Sequence, residues 1–167
     1  VLGVGALVLC YCAEYFDSDD EHSAPRRVKR RVAGFGGEMV AFAAAMFGLV
    51  VSDNMIVLYI FWEATTVLSF LLVGFYAQRA TSRRAATQAL LVTTAGGLAM
   101  LAGIIVLGER AGSYLLSDVV ASPPSGTAVT VAIVLIVVGA LSKSAIVPFH
   151  FWLPGAMAAP TPVSAYL

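Results

Sequence analysis

Glu63 and Lys143 are an acid and a base set in apolar runs of a chain otherwise composed for lipid. Glu63 sits between Trp62 and Ala64 in the run Asn54 to Ala77. Lys143 closes the run Thr127 to Leu141, between Ser142 and Ser144. A charge at the bilayer centre costs roughly 2.5–3.5 kcal/mol on insertion scales, so such residues are rare and mark ion pathways and proton relays. An acid and a base offset that cost by pairing and can exchange a proton, which points to ion or proton transport. Glu63 is about nine residues into its run, roughly 14 Å deep at 1.5 Å per residue and so near mid-membrane. The plainer alternatives are a structural glutamate bonded to a neighbouring helix and a lysine snorkelling from a helix end.

The residues around the two charges support the functional reading. Thr66 and Ser69 follow Glu63 in steps of three and give that helix a polar side. Burial disfavours a lysine's charged form and a nearby carboxylate favours it, so a lysine held between the two can gain and lose a proton. Gly139 lies one turn before Lys143 and leaves room. Ser142 and Ser144 can satisfy backbone groups freed by a helix break, which Pro148 makes plausible. His150 falls at the expected cytoplasmic edge, where it serves equally well as a proton relay or as part of an aromatic belt with Phe149, Phe151 and Trp152. Asp53 reads as a helix cap and Glu38 as a residue near a helix start, both explained by caps and dipoles.

These residues need helices of membrane length to hold them. The chain has 167 residues, 59% hydrophobic and 12% charged, with mean hydropathy +0.87. Soluble domains carry about 25% charged residues. The apolar stretches predict an all-α, polytopic bundle, with segments over about 1–16, 35–51, 54–77, 86–108 and 127–147 and the start of a further one over 156–167. Ser52 or Asp53 is expected to cap the third segment, and a loop is expected over Glu109 to Gly126. Ala95, Ala99 and Gly103, with Ala41/Ala45 and Ala44/Gly48, form small-residue rows that allow close helix approach. Both ends read as cut: there is no initiator Met, and the chain opens and stops inside apolar runs.

Charge sets the orientation. Arg26, Arg27, Lys29, Arg30 and Arg31 lie between the first two segments, and Arg79, Arg83 and Arg84 between the third and fourth; the other connectors hold only Arg110. The positive-inside rule therefore predicts that loops 17–33 and 78–85 are cytoplasmic. Net charge is zero and no basic excess suggests nucleic acid. Cys10 and Cys12 point about 200° apart on a helix and read as apolar filler. No Cys/His cluster, P-loop, dinucleotide motif or nucleophile triad is present, so no metal, cofactor or covalent chemistry is expected.

Two blocks carry a family resemblance. Ser52-Asp53-Asn54, Phe61-Trp62-Glu63 and Ser69 to Phe75 resemble the fifth-helix region of antiporter-like membrane subunits, found in respiratory complex I and in the multisubunit Na+/H+ (Mrp-type) antiporter. Gly139 to Ala145, Pro148 to Pro154 and Ala156 to Ala165 resemble the family's seventh-to-eighth-helix signature. Phe61-Trp62-Glu63 and Ala158-Ala159-Pro160 lean toward the A-type subunit of the antiporter. The resemblance implies that residues 1–167 are a partial antiporter-like transmembrane domain in the cell membrane, with one helix broken. It implies that Glu63 tunes the proton affinity of Lys143, and that the chain is a secondary transporter component with other membrane subunits, H+ and Na+ as partners. It also implies that this piece holds one incomplete half-channel and does not transport alone. Ile146 departs from the family, which usually has Gln there.

Overall fold

The computed structural model describes residues 3, 5–8, 10–11, 25–75 and 80–157. Five α-helices follow one another: α1 Pro25–Val51, α2 Met55–Val73, α3 Ala80–Ala111, α4 Leu116–Ala121 and α5 Thr127–Lys143. A 3-10 turn, His150–Trp152, then leads into the short α6, Leu153–Ala156. The protein is all-α, and the sole β feature among the described residues is an isolated bridge between Asn54 and Leu115. Ala33–Val51, Met55–Val73 and Ser82–Ala111 are long and apolar enough to cross a membrane, and Thr127–Lys143 is a shorter apolar helix. In the expected first segment, residues 3, 5–8 and 10–11 are helical and Cys10 is an exposed free thiol; Cys12 and the expected last segment beyond Met157 lie outside the described residues.

Several boundaries differ from the sequence expectation. The stretch 17–33 is expected to be a loop, but α1 already begins at Pro25. Proline is preorganised for a first helical position, and the Arg/Lys run that follows is made of good helix formers. Glu38 is therefore deep inside α1 rather than at its start. Likewise α3 begins at Ala80, so most of the expected 78–85 loop is helical. The helix α2 stops at Val73, short of Ala77, with the Gly74 N–H donating to the Phe70 carbonyl at 2.9 Å.

The cap of α2 is neither Ser52 nor Asp53. Asn54 takes that role in an extended conformation, its side chain accepting from the Ile56 and Val57 N–H groups at 2.9 and 3.2 Å. Ser52 instead donates to the Gly48 carbonyl at 2.6 Å, at the end of α1. Asp53 reaches 64 residues along the chain and accepts from the Ser117 N–H at 3.0 Å and hydroxyl at 2.7 Å. It thus caps α4, a helix formed where a plain loop is expected. The Met55 N–H donates to Tyr114 O at 2.9 Å and the Leu116 N–H to Asp53 O at 2.7 Å. The two connectors poor in basic residues are thereby clasped at one end of the bundle.

Packing inside the bundle separates two apolar clusters. Phe35, Met39, Phe42, Leu72, Val73, Ala86 and Trp152 belong to one, at the end where α2 finishes and α3 begins. Met55, Met100, Ile104, Leu107, Val129 and Ala132 belong to the other, beside the clasp. The tightest approach is between α3 and α5. A Cβ on Gly103 would stand 2.6 Å from the Ala132 carbonyl oxygen, and one on Gly139 2.7 Å from that of Gly96. The small-residue row of α3 is therefore Gly96 and Gly103, with Met100 between. Of the expected row Ala95, Ala99 and Gly103, Gly103 alone lies in this contact, while Ala95 is exposed and Ala99 half-buried. On α1, Ala45 is buried and Gly48 meets the Phe61 ring, while Ala41 and Ala44 are exposed.

Candidate functional site

A polar layer lies between the two clusters. It is built from the middle of α2, the midpoint of α3 and the end of α5. Helix α5 ends at Lys143, and Ser144 caps it through its backbone N–H, which donates to the Ala140 carbonyl. Beyond the end, Ala145 has φ +51° and the Val147–Pro148 peptide is cis. The chain resumes helical form at His150, so the sequence cues for a break here have a structural counterpart. Of the two serines, Ser142 is wholly buried, with its hydroxyl donating to Gly139 O at 2.8 Å and its carbonyl accepting from the Trp152 indole N–H at 3.0 Å. That indole ties the resumed chain back to the broken end. The side chain of Ser144 is exposed and makes no hydrogen bond among the described residues.

The Lys143 ammonium points at the middle of α2. It donates to the Trp62 carbonyl at 3.0 Å, to the Thr66 hydroxyl at 2.8 Å and to the Thr65 hydroxyl. It also stands 5.1 Å from the centre of the Trp62 ring, within cation–π range. The threonines are 0% and 3% exposed, and both hydroxyls donate to Trp62 O, at 2.7 and 3.2 Å. Three oxygens from one turn of α2 thus converge on one cation. Residues 62, 65 and 66 share a helix face because they are three and four apart.

Glu63 occupies the same turn, but its carboxylate does not contact the ammonium. Oε1 is buried and has no hydrogen-bond partner among the described residues. It lies against Gly97 of α3, where a Cβ would come within 3.3 Å of the carboxyl carbon and closer to Oε1. The adjacent Gly96 faces the Ser142 side chain in the same way. The structure thus gathers Glu63, Thr66, Ser142 and Lys143 in one layer, with no direct bond between Glu63 and Lys143. Ser144, the cap of α5, and His150, where the chain resumes, are both exposed, and the hydrogen bonds of the Lys143 ammonium go to neither.

Sequence reasoning missed Thr65, the Trp62 carbonyl and the glycine pair. Counting in steps of three from Glu63 selects Thr66 and Ser69 and passes over Thr65. The signal available was two adjacent threonines after an intramembrane acid. A cavity of about 150 Å³ adjoins Lys143, lined among others by Thr66, Ser69, Thr93 and Trp152. It has polar groups and room enough for water.

This layer can be set beside known proteins. The model of the NADH:quinone oxidoreductase/Mrp antiporter transmembrane family matches residues 52–167, the stretch that carries both charges and the break. The chain belongs to this family. Among its relatives, the A/B subunit of a probable K(+)/H(+) antiporter of Rhizobium meliloti (strain 1021) is 45% identical over 174 residues, covering 100% of this chain and 16% of that protein. The A1 subunit of the Na(+)/H(+) antiporter of Staphylococcus haemolyticus (strain JCSC1435) is 39% identical over 170 residues, covering 100% of this chain and 20% of that protein. The chain spans a fifth or less of the length of these relatives. Among solved structures, the Mrp complex from Dietzia sp. DQ12-45-1b matches with TM-score 0.72 and 43% identity over 80% of this chain and 15% of that one. Respiratory complex I from Thermus thermophilus matches with TM-score 0.70 at 23% identity, over 96% of this chain and 34% of that one, a likeness of fold alone.

Proposed function

We propose that this chain is part of an A-type subunit of a multisubunit monovalent cation/proton antiporter, with Glu63 and Lys143 moving its proton. The observation that carries this is the Lys143 ammonium at the end of a broken helix, held by three oxygens of one α2 turn. That turn also carries an acid whose oxygen is buried without a partner among the described residues. Lys143 is the proton carrier. Glu63 is the charge whose separation from it sets how firmly the proton is held. Threonine and carbonyl oxygens hold the charged form and do not titrate themselves, so the proton leaves from Nζ. The adjoining cavity brings water to that atom.

The rest of the reading follows from the family and the charge pattern. The working protein sits in the cell membrane beside other membrane subunits, with the Arg83 and Arg84 end on the cytoplasmic side. It is a secondary transporter component and not an enzyme. The relatives' names divide between K+ and Na+, so the exchanged ion is a monovalent cation of that class. A proton-pumping subunit of complex I type is the second reading, favoured by the fold likeness. The higher identity to antiporter subunits supports the first.

The test grafts this segment into a full-length homologous complex and compares parent, Glu63→Gln and Lys143→Ala in inverted membrane vesicles. The readout is collapse of a preformed pH gradient on adding Na+ or K+, with assembly checked in parallel. The expected result is parent exchange that both variants lose while still assembling. Parent-like exchange in both would reduce the chain to a scaffold. A pH gradient forming only on NADH oxidation would select the complex I reading.

A further inference from the structure

We propose that the three oxygens holding the Lys143 ammonium are also the binding site of the exchanged cation, which takes the place of the ammonium when Lys143 has lost its proton. This rests on the reading above and adds that proton and cation use one cage in turn.

The cage has the chemistry of an alkali-metal site. Its donors are one backbone carbonyl and two hydroxyls that converge on a single point, and all are neutral oxygens able to replace part of a hydration shell. Trp62, Thr65 and Thr66 offer those lone pairs whatever cation stands there. The carboxylate of Glu63, on the same turn, supplies one negative charge near the cage, with its buried Oε1 unpartnered among the described residues. One carboxylate balances one positive charge. Divalent cations draw on more carboxylates, and among the described residues no group of three or more His, Cys, Asp or Glu could hold a metal. The site therefore suits a monovalent cation.

Room for the exchange is present. The cavity beside Lys143 is lined by Thr66, a cage member, and by Ser69 and Thr93. A neutral Lys143 amine on its four-carbon stem can withdraw there, still within reach of hydroxyls. The balance is simple: one proton leaves Nζ for water in the cavity, one cation enters the cage, and the charge of the layer is unchanged. The groups facing Lys143 are few. On α2 they are Trp62, Thr65 and Thr66, with Glu63 on the same turn and Tyr59 set against Glu63; around the adjoining cavity α3 presents Thr93, α1 Phe42 and Met46, and the resumed chain Trp152. Competition at one cage predicts that cation binding weakens as pH falls, since protons keep the ammonium in place.

The experiment uses the assembled complex with the full-length subunit, and the probes are radiolabelled Na+ and Rb+. In the parent, apparent cation affinity is expected to fall by up to about tenfold per pH unit on the acid side, the limit for one proton displaced per cation. In Lys143→Met, the cage is expected to bind cation independently of pH. Thr65→Val with Thr66→Val is expected to raise the cation KM of exchange by about tenfold or more, the loss of two oxygen ligands. Thr65→Ser with Thr66→Ser, which restores the oxygens, is expected to return KM to the parent value. Two results would overturn the proposal: unchanged cation KM in an assembled double valine variant, or no cation binding by Lys143→Met beyond that of the same protein with both valines added. If either occurs while Lys143→Met has lost proton movement, the shared cage falls and the Glu63–Lys143 reading stands. If Lys143→Met exchanges like the parent, both fall.

Discussion

The start of α2 and its middle turn, eight residues apart, treat polar groups in opposite ways. At the start, Asn54 caps its own helix, Met55 donates to Tyr114, and Asp53 accepts twice from Ser117. In the middle, Glu63 Oε1 and Trp62 Nε1 are buried without partners among the described residues, and three oxygens accept from the Lys143 ammonium. A buried polar group without a partner costs roughly 1–3 kcal/mol, and folds retain few of them. The clasp is a place of anchoring. The middle turn keeps a stability cost, as the proposed proton transfer requires of groups that change partner. Changes at the two places should therefore have opposite signatures: exchange lost without stability in the middle, stability lost without exchange at the start.

The strongest test of the middle turn leaves both charges in place. In Gly97→Ala, the new Cβ collides with the Glu63 carboxylate and pushes it off α3. A displacement of about 1 Å in a positioned group can cost about a hundredfold in rate. The expected result is exchange reduced by one to two orders of magnitude in vesicles, with the complex still assembled. A variant that exchanges at the parent rate would show that the seat on Gly97 does not position Glu63.

That prediction also marks the limit of what the sequence made legible. Glu63 and Lys143 stand out because charge in an apolar run is costly wherever the partner helix lies. The break after Lys143 is legible through Ser142, Ser144 and Pro148, since proline and serine act on the backbone locally. The seat of Glu63 on Gly97 is not, because a Gly-Gly pair in a helix reads as packing until the facing residue is known. Thr65 is missed for the same reason: its hydroxyl matters only once α5 brings Lys143 to it. Asp53 reads as a local cap because nothing within a few residues announces Ser117. Relations along one helix were readable, while those across helices needed the fold.

An intermediate effect is expected at Trp152, which joins the break to the polar layer. In Trp152→Phe, the Ser142 carbonyl loses its indole donor and the first apolar cluster loses volume. Together these should cost about 2–3 kcal/mol, a lost buried hydrogen bond plus a small cavity. Thermal unfolding of the complex should shift downward. Exchange should fall less than in Gly97→Ala, because neither Glu63 nor the oxygens that hold Lys143 are touched. A fall as large as that of Gly97→Ala would mean that the resumed chain positions Lys143 itself.

The smallest effect belongs to the clasp. In Asp53→Ala, α4 loses its cap and the two connectors lose a pair of carboxylate hydrogen bonds. Loss of a cap costs about 1 kcal/mol, and these bonds are exposed, so water takes up part of what is lost. The expected outcome is a small drop in thermal stability with exchange per assembled complex at the parent level. Asn54→Ala, which removes the cap of α2 itself, should behave alike. The control that separates the two regions is Asp53→Asn, which keeps an acceptor oxygen for the Ser117 N–H and removes the charge. If stability recovers in Asp53→Asn and exchange is unaffected in all three, the clasp acts only as an anchor. If exchange falls in Asp53→Asn while stability is retained, the charge at this end of the bundle takes part in transport, and the division between anchoring and working regions of α2 fails.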